Sequence, residues 1–567
     1  MKRIIFLIIG TLLVLGLVLP GCGGTPTPTD PRPIITIGVA GPMGMAQGKH
    51  HLYGAEMARD ELNGTNWTTD GVSVNGTLHK IALVQIDTNE VLDPTGADGV
   101  TEMTKKIGSV DYVVGGFRTE AVFAYRGVAM SAGKIFNNCG AATEALQHSV
   151  VDDYATYKYW FKATPPNELF LSQSNAKVFY MCVATAQGFS LNATWMPRVA
   201  ILAENAAWTT LSWRLAQLKY SAAGILCGRN GTGGPGVWLV NPVATVSEMN
   251  SVLADMALAT PAPNLIFTIM SGPCGVTYAN RVGAYFPSIL TQGINVEAQR
   301  NGFPGVAAYA KNMIFLDSWA PGVNFTSQTA DFYNAFIAKT GEKPIYTAAT
   351  YDSIKALAVQ IEAVGLSTAA LIPALEAAQY TGTSGISALY QVWDGATNGT
   401  HPFYGYPGLT YPLSTQALNS TQVLALYPWL TGAGFAVNSS LVVNYTYNAS
   451  KWTMLPHTSH DLVYGTQWVT GSCSQWQNVT GTLQKVSVWP KPYAAALGAP
   501  STTNITLIKS LIASGAINAS TLFKFQTIGL WDQYGWWHFE YPGTGTVNLV
   551  DWLTWLASTG AFNGTLY

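Results

Sequence analysis

The sequence predicts an α/β protein built as two doubly wound parallel-sheet lobes, followed by an aromatic-rich C-terminal extension. Three observations carry that expectation. Short β-branched apolar runs alternate with helical patterns twice, from Ile34 to about Gly140 and again from about Pro197 to Gly293. The same rhythm returns between 311 and 380. Beyond about 390 it stops: eleven of the 18 tryptophans lie there, among many Tyr, Gly and Thr and few charges. Strand–helix alternation of this kind is what an open parallel sheet covered on both faces requires.

In the first block IITIGVA leads into the helical YGAEMARDELN, HKIALVQID into PTGADGVTEMTKKI, and VDYVVGG into TEAVFAYRGVAMSAG, with KIFNN as a further strand. In the second, PRVAILAEN precedes TTLSWRLAQLKYSA, and GILCG precedes a Gly-rich loop; VSEMNSVLADMAL and VTYANRVGAYF are helical, and APNLIFTIMSG and SILTQG are strands. In the third, MIFLDSW reads as a strand, and TADFYNAFIAKTG, TYDSIKALAVQIEAVG and STAALIPALEAAQ as helices. One junction stands out. In VDYVVGGFRTEAVFA (110–124) three polar residues, Arg118, Thr119 and Glu120, gather where a buried strand hands over to a helix. Backbone N–H groups at such a helix start point into the crevice at the strand end and favour an anion there.

The 567 residues allow two or three domains, and 48% hydrophobic against 11% charged residues supplies large cores. A net charge of −2 offers nothing to a nucleic acid. The N-terminus begins MKR and continues with an apolar stretch, Ile4 to Leu19, short of the roughly 20 residues of a membrane span and suited to a signal peptide. Leu19-Pro20-Gly21-Cys22 resembles the lipobox of secreted lipoproteins, which makes Cys22 the lipid-attachment residue; Pro20 departs from the small residue usual there. An uncleaved anchor is the alternative, and both put the remainder outside the membrane. GGTPTPTDPRP after Cys22 is a tether without packing capacity. Fifteen of the 30 asparagines stand in Asn-X-Ser/Thr sequons, as on an N-glycosylated cell surface; a Thr/Asn-rich surface that is never glycosylated is the alternative.

Catalytic and metal motifs are sparse. GRNGTGGPG (228–236) lacks the GK[ST] ending of a phosphate loop and reads as a surface loop. There is no GxSxG and no HExxH. His457 and His460-Asp461 could supply metal ligands on spacing alone but read as a structural or incidental loop pair, and His50-His51 could equally touch a ligand or lie in a solvated turn. Cys139, Cys182, Cys227, Cys274 and Cys473 are far apart, without CxxC, and their odd number leaves at least one unpaired in a monomer. The expectation is a non-enzyme without cofactor or metal.

The ordered series IITIGVAGPMG, YGAEMARDELN, KIALVQID, VDYVVGG and GAATEAL, then PRVAILAEN, APNLIFTIMSG and KPIYTAATYDSIKAL, resembles the type I periplasmic binding proteins. More narrowly it is similar to the branched-chain amino-acid (Leu/Ile/Val-binding-like) substrate receptors of ABC transporters, and HDLVYGTQWVTGSCSQWQ resembles their closing segment. The likeness covers about 35–395 and 460–490. It implies two lobes joined by a hinge and closing on a ligand. The division it implies is a lipoprotein signal peptide at 1–22, a tether at 23–34, lobe 1 over 35–155 and lobe 2 over 156–305. Lobe 1 returns over 306–385, and a lobe-2 closing segment follows over 386–490, with an insertion at about 395–459. The extension occupies 491–567.

The resemblance also implies the ligand-binding residues. On lobe 1 it points to Phe117, Arg118 and Thr119, where a hydroxyl and nearby N–H groups would hold a ligand carboxylate, and to Ala141, Ala142 and Thr143 at the next corner. Arg118 could grip an anion or pair with Glu120 instead. On lobe 2 it points to Trp208 and Ser271, and near the hinge to Tyr346. The family's lobe-2 carboxylate for a ligand ammonium has no clear counterpart in TQGINVEAQ. Gln292 or Asn295 stands nearest, and Glu297 a few residues late, so the ligand could be an amino acid, an amide or a small carboxylate. The implied role is that of an extracytoplasmic, membrane-anchored, monomeric solute receptor serving an ABC permease. A sensory receptor and a glycan-binding surface protein are the alternatives.

Overall fold

The computed structural model describes residues 30–168, 198–222, 226–229, 236–311, 313–394, 453–462 and 471–489, with a few shorter stretches between and beyond them. The expected signal peptide, Cys22, Cys182, most of the 228–236 loop and of the insertion, and nearly all of the C-terminal extension lie outside the described residues.

Lobe 1 is a six-stranded sheet in the order β2-β3-β1-β4-β5-β6, formed by β1 (Ile34–Gly41), β2 (Val72–Val74), β3 (Thr77–Asp87), β4 (Tyr112–Gly115), β5 (Phe136–Asn138) and β6 (Trp160–Lys162). All neighbours are parallel except the β2–β3 pair. Alternation along the strands loads both faces. Ile35, Ile37 and Val39 join Ala55, Ala58, Ile354 and Leu357 of helices Ala46–Asn63 and Thr350–Val364 on one face. Ala40, Ile86 and Val113 join Met103, Val122 and Tyr125 of helices Ala97–Lys106 and Thr119–Ser131 on the other. Because both faces are covered, these strands are near-continuous apolar runs.

Lobe 2 repeats the plan with β7 (Val199–Glu204), β8 (Val237–Val240), β9 (Leu265–Met270), β10 (Leu290–Asn295) and β11 (Ile314–Asp317), in the spatial order β11-β10-β9-β7-β8 and all parallel. Ser472–Val479 extends this sheet antiparallel to β11, and Thr482–Trp489 pairs antiparallel with it in turn. The main core on one face joins Leu202 and Ile266 to Met249, Leu253, Tyr278 and Val282 of helices Val246–Ala257 and Cys274–Tyr285.

Strand pairing moves two of the expected boundaries. Trp160–Lys162, read as the start of lobe 2, is the edge strand of lobe 1, because its backbone pairs with β5. Ile314–Asp317, read as part of the return to lobe 1, lies inside the lobe-2 sheet between β10 and Ser472–Val479. The chain therefore passes between the lobes after Lys162, after Asp317 and again before Ser472. The insertion leaves and re-enters as a ladder: Leu389–Asp394 runs antiparallel to Thr453–Leu462. The described part of GILCG contributes two isolated bridges, Leu226 to Val199 and Gly228 to Thr260.

The β4 corner depends on glycine. Gly115 has φ +112°, and a Cβ there would lie 2.0 Å from the Ala40 carbonyl oxygen. Gly115→Ala is expected to destabilise the fold by about 1–3 kcal/mol or more, read as a lower urea midpoint. An unchanged midpoint would mean that the corner accepts a side chain.

Candidate functional site

In an open α/β sheet the strand order reverses at one place, and the corners after the strands flanking it form a crevice. In lobe 1 the reversal lies between β1 and β4, and in lobe 2 between β7 and β9. Phe117 and Arg118 follow β4; Trp208 follows β7 and Ser271 follows β9. The two crevices face each other across a shared cavity.

A buried glutamate fills the polar end of each crevice. Glu90, fully buried on the loop after β3, accepts hydrogen bonds from the Phe117 and Arg118 amides (3.3 and 2.7 Å), from Thr88 Oγ1 (2.6 Å) and from the Tyr125 hydroxyl (3.2 Å). Glu204, the last residue of β7, accepts from the Ser271 amide (2.8 Å), Ser271 Oγ (2.9 Å) and Trp208 Nε1 (3.2 Å), and also from the Gly272 amide. The Phe117 and Arg118 amides of the FRTE corner, expected to be open to a ligand anion, are thus already bonded to Glu90. The glutamates also fix the Arg118 backbone and the Trp208 ring plane.

Six of the sequence-predicted residues line the cavity together: Phe117, Arg118, Ala142, Trp208, Ser271 and Tyr346. The rings of Phe117 and Tyr346 stand 6.3 Å apart, and the Tyr346 hydroxyl donates to the Gly140 carbonyl at 3.4 Å. Arg118 is only 9% exposed; its Nε lies 3.4 Å from Glu120 Oε2, but neither atom makes a hydrogen bond within the described residues. Leu171, Ile294, Val296 and Leu316 complete the apolar walls. Asp317, Ser384 and Ser472 add polar groups.

The other predicted residues are not among those lining the cavity. Thr119 is buried with an unbonded hydroxyl at the first turn of its helix. The Ala141 carbonyl accepts from Asn138 and Lys162, and Thr143 Oγ1 donates to Glu168 at 3.1 Å. Gln292 bonds to Asn175, and Asn295 bonds to the Gly275 carbonyl within lobe 2. Glu297 accepts from Gln47 at 2.9 Å and pairs with Arg300 at 2.6 Å. His50 and His51 are buried and bonded to Glu342 and to the Thr347 carbonyl, as parts of the packing under the return segment. His460 stacks on Phe161 with centroids 3.8 Å apart and bonds to Glu376 at 2.7 Å. Among the described residues no cluster of His, Cys, Asp and Glu could hold a metal ion. Cys139, Cys227, Cys274 and Cys473 are buried.

Polar contacts hold the lobes together around the cavity. Gln47 Nε2 of lobe 1 donates to the Ser271 carbonyl (3.2 Å) and Glu297 (2.9 Å) of lobe 2, and Glu120 of lobe 1 accepts from the Ala207 amide of lobe 2. Sequence reading missed Glu90, Glu204, Gln47 and Asp317 as site residues. Glu204 and Asp317 did carry a signal: each is a carboxylate closing a buried strand, where a charge needs a specific partner.

Two doubly wound lobes closed over a cavity lined from both sides define a two-lobed clamp. No family model matches the chain, and no curated protein matches it. Solved structures do. The chain is similar to a solute-binding protein of an ABC transporter from R. palustris, solved with benzoate, at 13% identity and TM-score 0.49, over 77% of this chain and 99% of that one. It is similar to the branched-chain amino acid transporter substrate binding protein LivJ of Streptococcus pneumoniae, solved with isoleucine, at 17% identity and TM-score 0.46, over 63% and 92%. The leucine binding protein LivK of Thermotoga maritima matches at 13% identity and TM-score 0.47, over 63% and 91%.

Burial pushes the Glu90 carboxyl up to about 7 from 4.5, against the opposing pull of the hydrogen bonds it accepts. Glu168, buried beside Glu144, is pushed up to about 8. Between their unfolded and folded values these groups keep a proton in the folded protein that the unfolded chain has lost. The folded state then binds more protons, and stability falls as pH rises through that window. The melting temperature is expected to be higher near pH ~5.5 than near pH ~8, with Glu90→Gln flattening the slope. A Glu90→Gln profile parallel to wild type would place the titrating proton elsewhere.

Proposed function

We propose that the protein is an extracytoplasmic solute-binding receptor that closes its lobes on a small ligand and presents it to an ABC permease in the membrane. One observation carries this reading: a single cavity is lined from both lobes, while hydrogen bonds from Gln47 and to Glu120 span the gap beside it. A ligand touching both walls would add to those contacts and shift the population toward the closed form. The N-terminal MKR, apolar run and Leu19-Pro20-Gly21-Cys22 support export and lipid anchoring through Cys22. The ligand-binding set we propose is Phe117, Arg118, Ala142, Trp208, Ser271 and Tyr346, with Thr119, Ala141, Thr143, Gln292 and Asn295 standing outside the cavity lining.

A ligand at 100 times its dissociation constant stabilises the state that binds it by about 2.7 kcal/mol. Thermal-shift screening of amino acids, amides and small carboxylates should find compounds that raise the melting temperature, and small-angle scattering should show compaction with those compounds. A broad library without a hit, together with scattering that never changes, would refute the receptor reading. Trp208→Ala is expected to weaken binding of a hit by about tenfold or more through lost ring contact, measured by calorimetry, with its melting temperature recorded alongside because Trp208 also bonds to Glu204.

A further inference from the structure

Five of the Asn-X-Ser/Thr sequons have their asparagine among the described residues: Asn63, Asn66, Asn75, Asn324 and Asn478. None of these five is buried, whereas the buried asparagines, Asn138 and Asn295 among them, stand outside sequons. N-glycosylation needs two groups of a sequon within reach of a transferase: the asparagine Nδ2 as acceptor, and the hydroxyl two residues on, which the enzyme binds. The fold separates the sequons by what those two groups already do.

In three of them the fold has already used a reacting group. Asn63, half-buried at the end of helix Ala46–Asn63, pairs its side-chain amide with β3: Nδ2 donates to the Ile81 carbonyl (2.9 Å), and Oδ1 accepts from the Ile81 amide (2.7 Å). It closes the sheet edge beyond β2, whose pairing with β3 reaches only to His79. Asn324 is exposed, but the hydroxyl of Thr326 donates to the Gly382 carbonyl at 2.7 Å. Asn478 lies in a hairpin ladder opposite Leu483, and the Thr480 hydroxyl is turned onto the Val479 carbonyl at 2.8 Å. Asn66 and Asn75 differ. Both are exposed, and neither Nδ2 makes a hydrogen bond among the described residues. Asn66 Oδ1 accepts from the Thr68 amide (3.1 Å) and the Thr68 hydroxyl (2.7 Å), so the acceptor amide and the hydroxyl of one sequon are held together at the surface. Asn75-Gly76 is the turn of the β2–β3 hairpin, with Asn75 at φ +50°, and Thr77 after it is exposed.

Both turns lie at the end of lobe 1 remote from the cavity. The cavity corner follows the carboxyl end of β4, and β1, β3 and β4 run parallel. Asn75 precedes the amino end of β3, and the loop that carries Asn66 is tied to the amino end of β1, where Arg32 donates to the Asn63 and Asp70 carbonyls. We propose that Asn66 and Asn75 are N-glycosylation sites and that the folded chain leaves Asn63, Asn324 and Asn478 bare. In the transfer Nδ2 attacks the anomeric carbon of a sugar carried on a phosphate-linked lipid. The bond from that carbon to the phosphate oxygen breaks, the phosphate leaves with the electron pair, and Nδ2 gives one proton to a base of the transferase. Sugars at these two places stand opposite the crevice and leave its mouth clear. The proposal rests on the receptor reading only for placing the chain outside the membrane.

The test uses the full chain isolated from the cells that make it, with biotinylation of intact cells reading its location separately. Glycopeptide mass spectrometry is expected to find sugar on Asn66 and Asn75. Thr68→Ala and Thr77→Ala, which leave the asparagines in place, are each expected to remove one glycan from the intact mass. Thr65→Ala, which breaks the Asn63 sequon, is expected to remove none. A biotinylated chain without sugar at Asn66 and Asn75 overturns the proposal and leaves the extracytoplasmic reading standing. Asn63 occupied to the same extent as Asn66 overturns the selection by the fold. A chain that is neither biotinylated nor glycosylated overturns both readings.

Discussion

Much of the site depends on one constraint: a peptide N–H buried at a strand-to-helix corner must find an acceptor. Each lobe meets it with a carboxylate of its own. Glu90 takes the Phe117 and Arg118 amides, and Glu204 takes those of Ser271 and Gly272. Each unpaired amide would cost on the order of 1–3 kcal/mol, so these bonds hold the corners rigidly without help from a ligand. What the corners present to the cavity is the set of residues they carry: Phe117, Arg118, Trp208 and Ser271.

The charges are arranged on a second principle. Asp317 and Lys485 are buried together at 2.6 Å, with Lys485 drawn from the hairpin strand Thr482–Trp489 and Asp317 from the end of β11. A buried pair of this kind gains little stability over apolar packing, because desolvation offsets the attraction. Its effect is positional: it ties the closing hairpin to the strand whose end reaches the cavity. On the lobe-1 side Arg118 Nε pairs with Glu120 Oε2 at 3.4 Å, and Glu120 in turn accepts from the Ala207 amide of the other lobe. The lobe-to-lobe contact and the Arg118 side chain are therefore adjacent.

Burial of acidic groups adds a proton-linked element. Glu90 and Glu168 titrate above the usual carboxylate range because burial penalises their charged forms. Glu90 lies behind the lobe-1 corner, and Glu168 lies in the passage from lobe 1 to lobe 2. Protonation thus bears on the elements that shape the cavity and join the lobes.

The alternation of apolar runs with helical periods was enough to read two parallel α/β lobes and the polar corner at Arg118–Glu120, whereas Trp208 and Ser271 came from the family resemblance. Strand burial on both faces leaves that imprint directly in composition and period. Period did not say which sheet a short strand joins. Trp160–Lys162 and Ile314–Asp317 were assigned to the wrong lobe because membership is decided by backbone pairing with β5 and β10, which no local pattern encodes. The same limit applied to the site. Glu90 is 28 residues from Arg118 in sequence, Glu204 is 67 from Ser271, and Lys485 is 168 from Asp317. The sequence by itself determined the layered architecture and the strand ends that carry polar residues. Only the tertiary structure decided which of those residues satisfy one another and which, like Thr119 Oγ1 and Asp317 Oδ1, have no hydrogen bond among the described residues, because hydrogen-bond satisfaction depends on groups that folding brings together from distant parts of the chain.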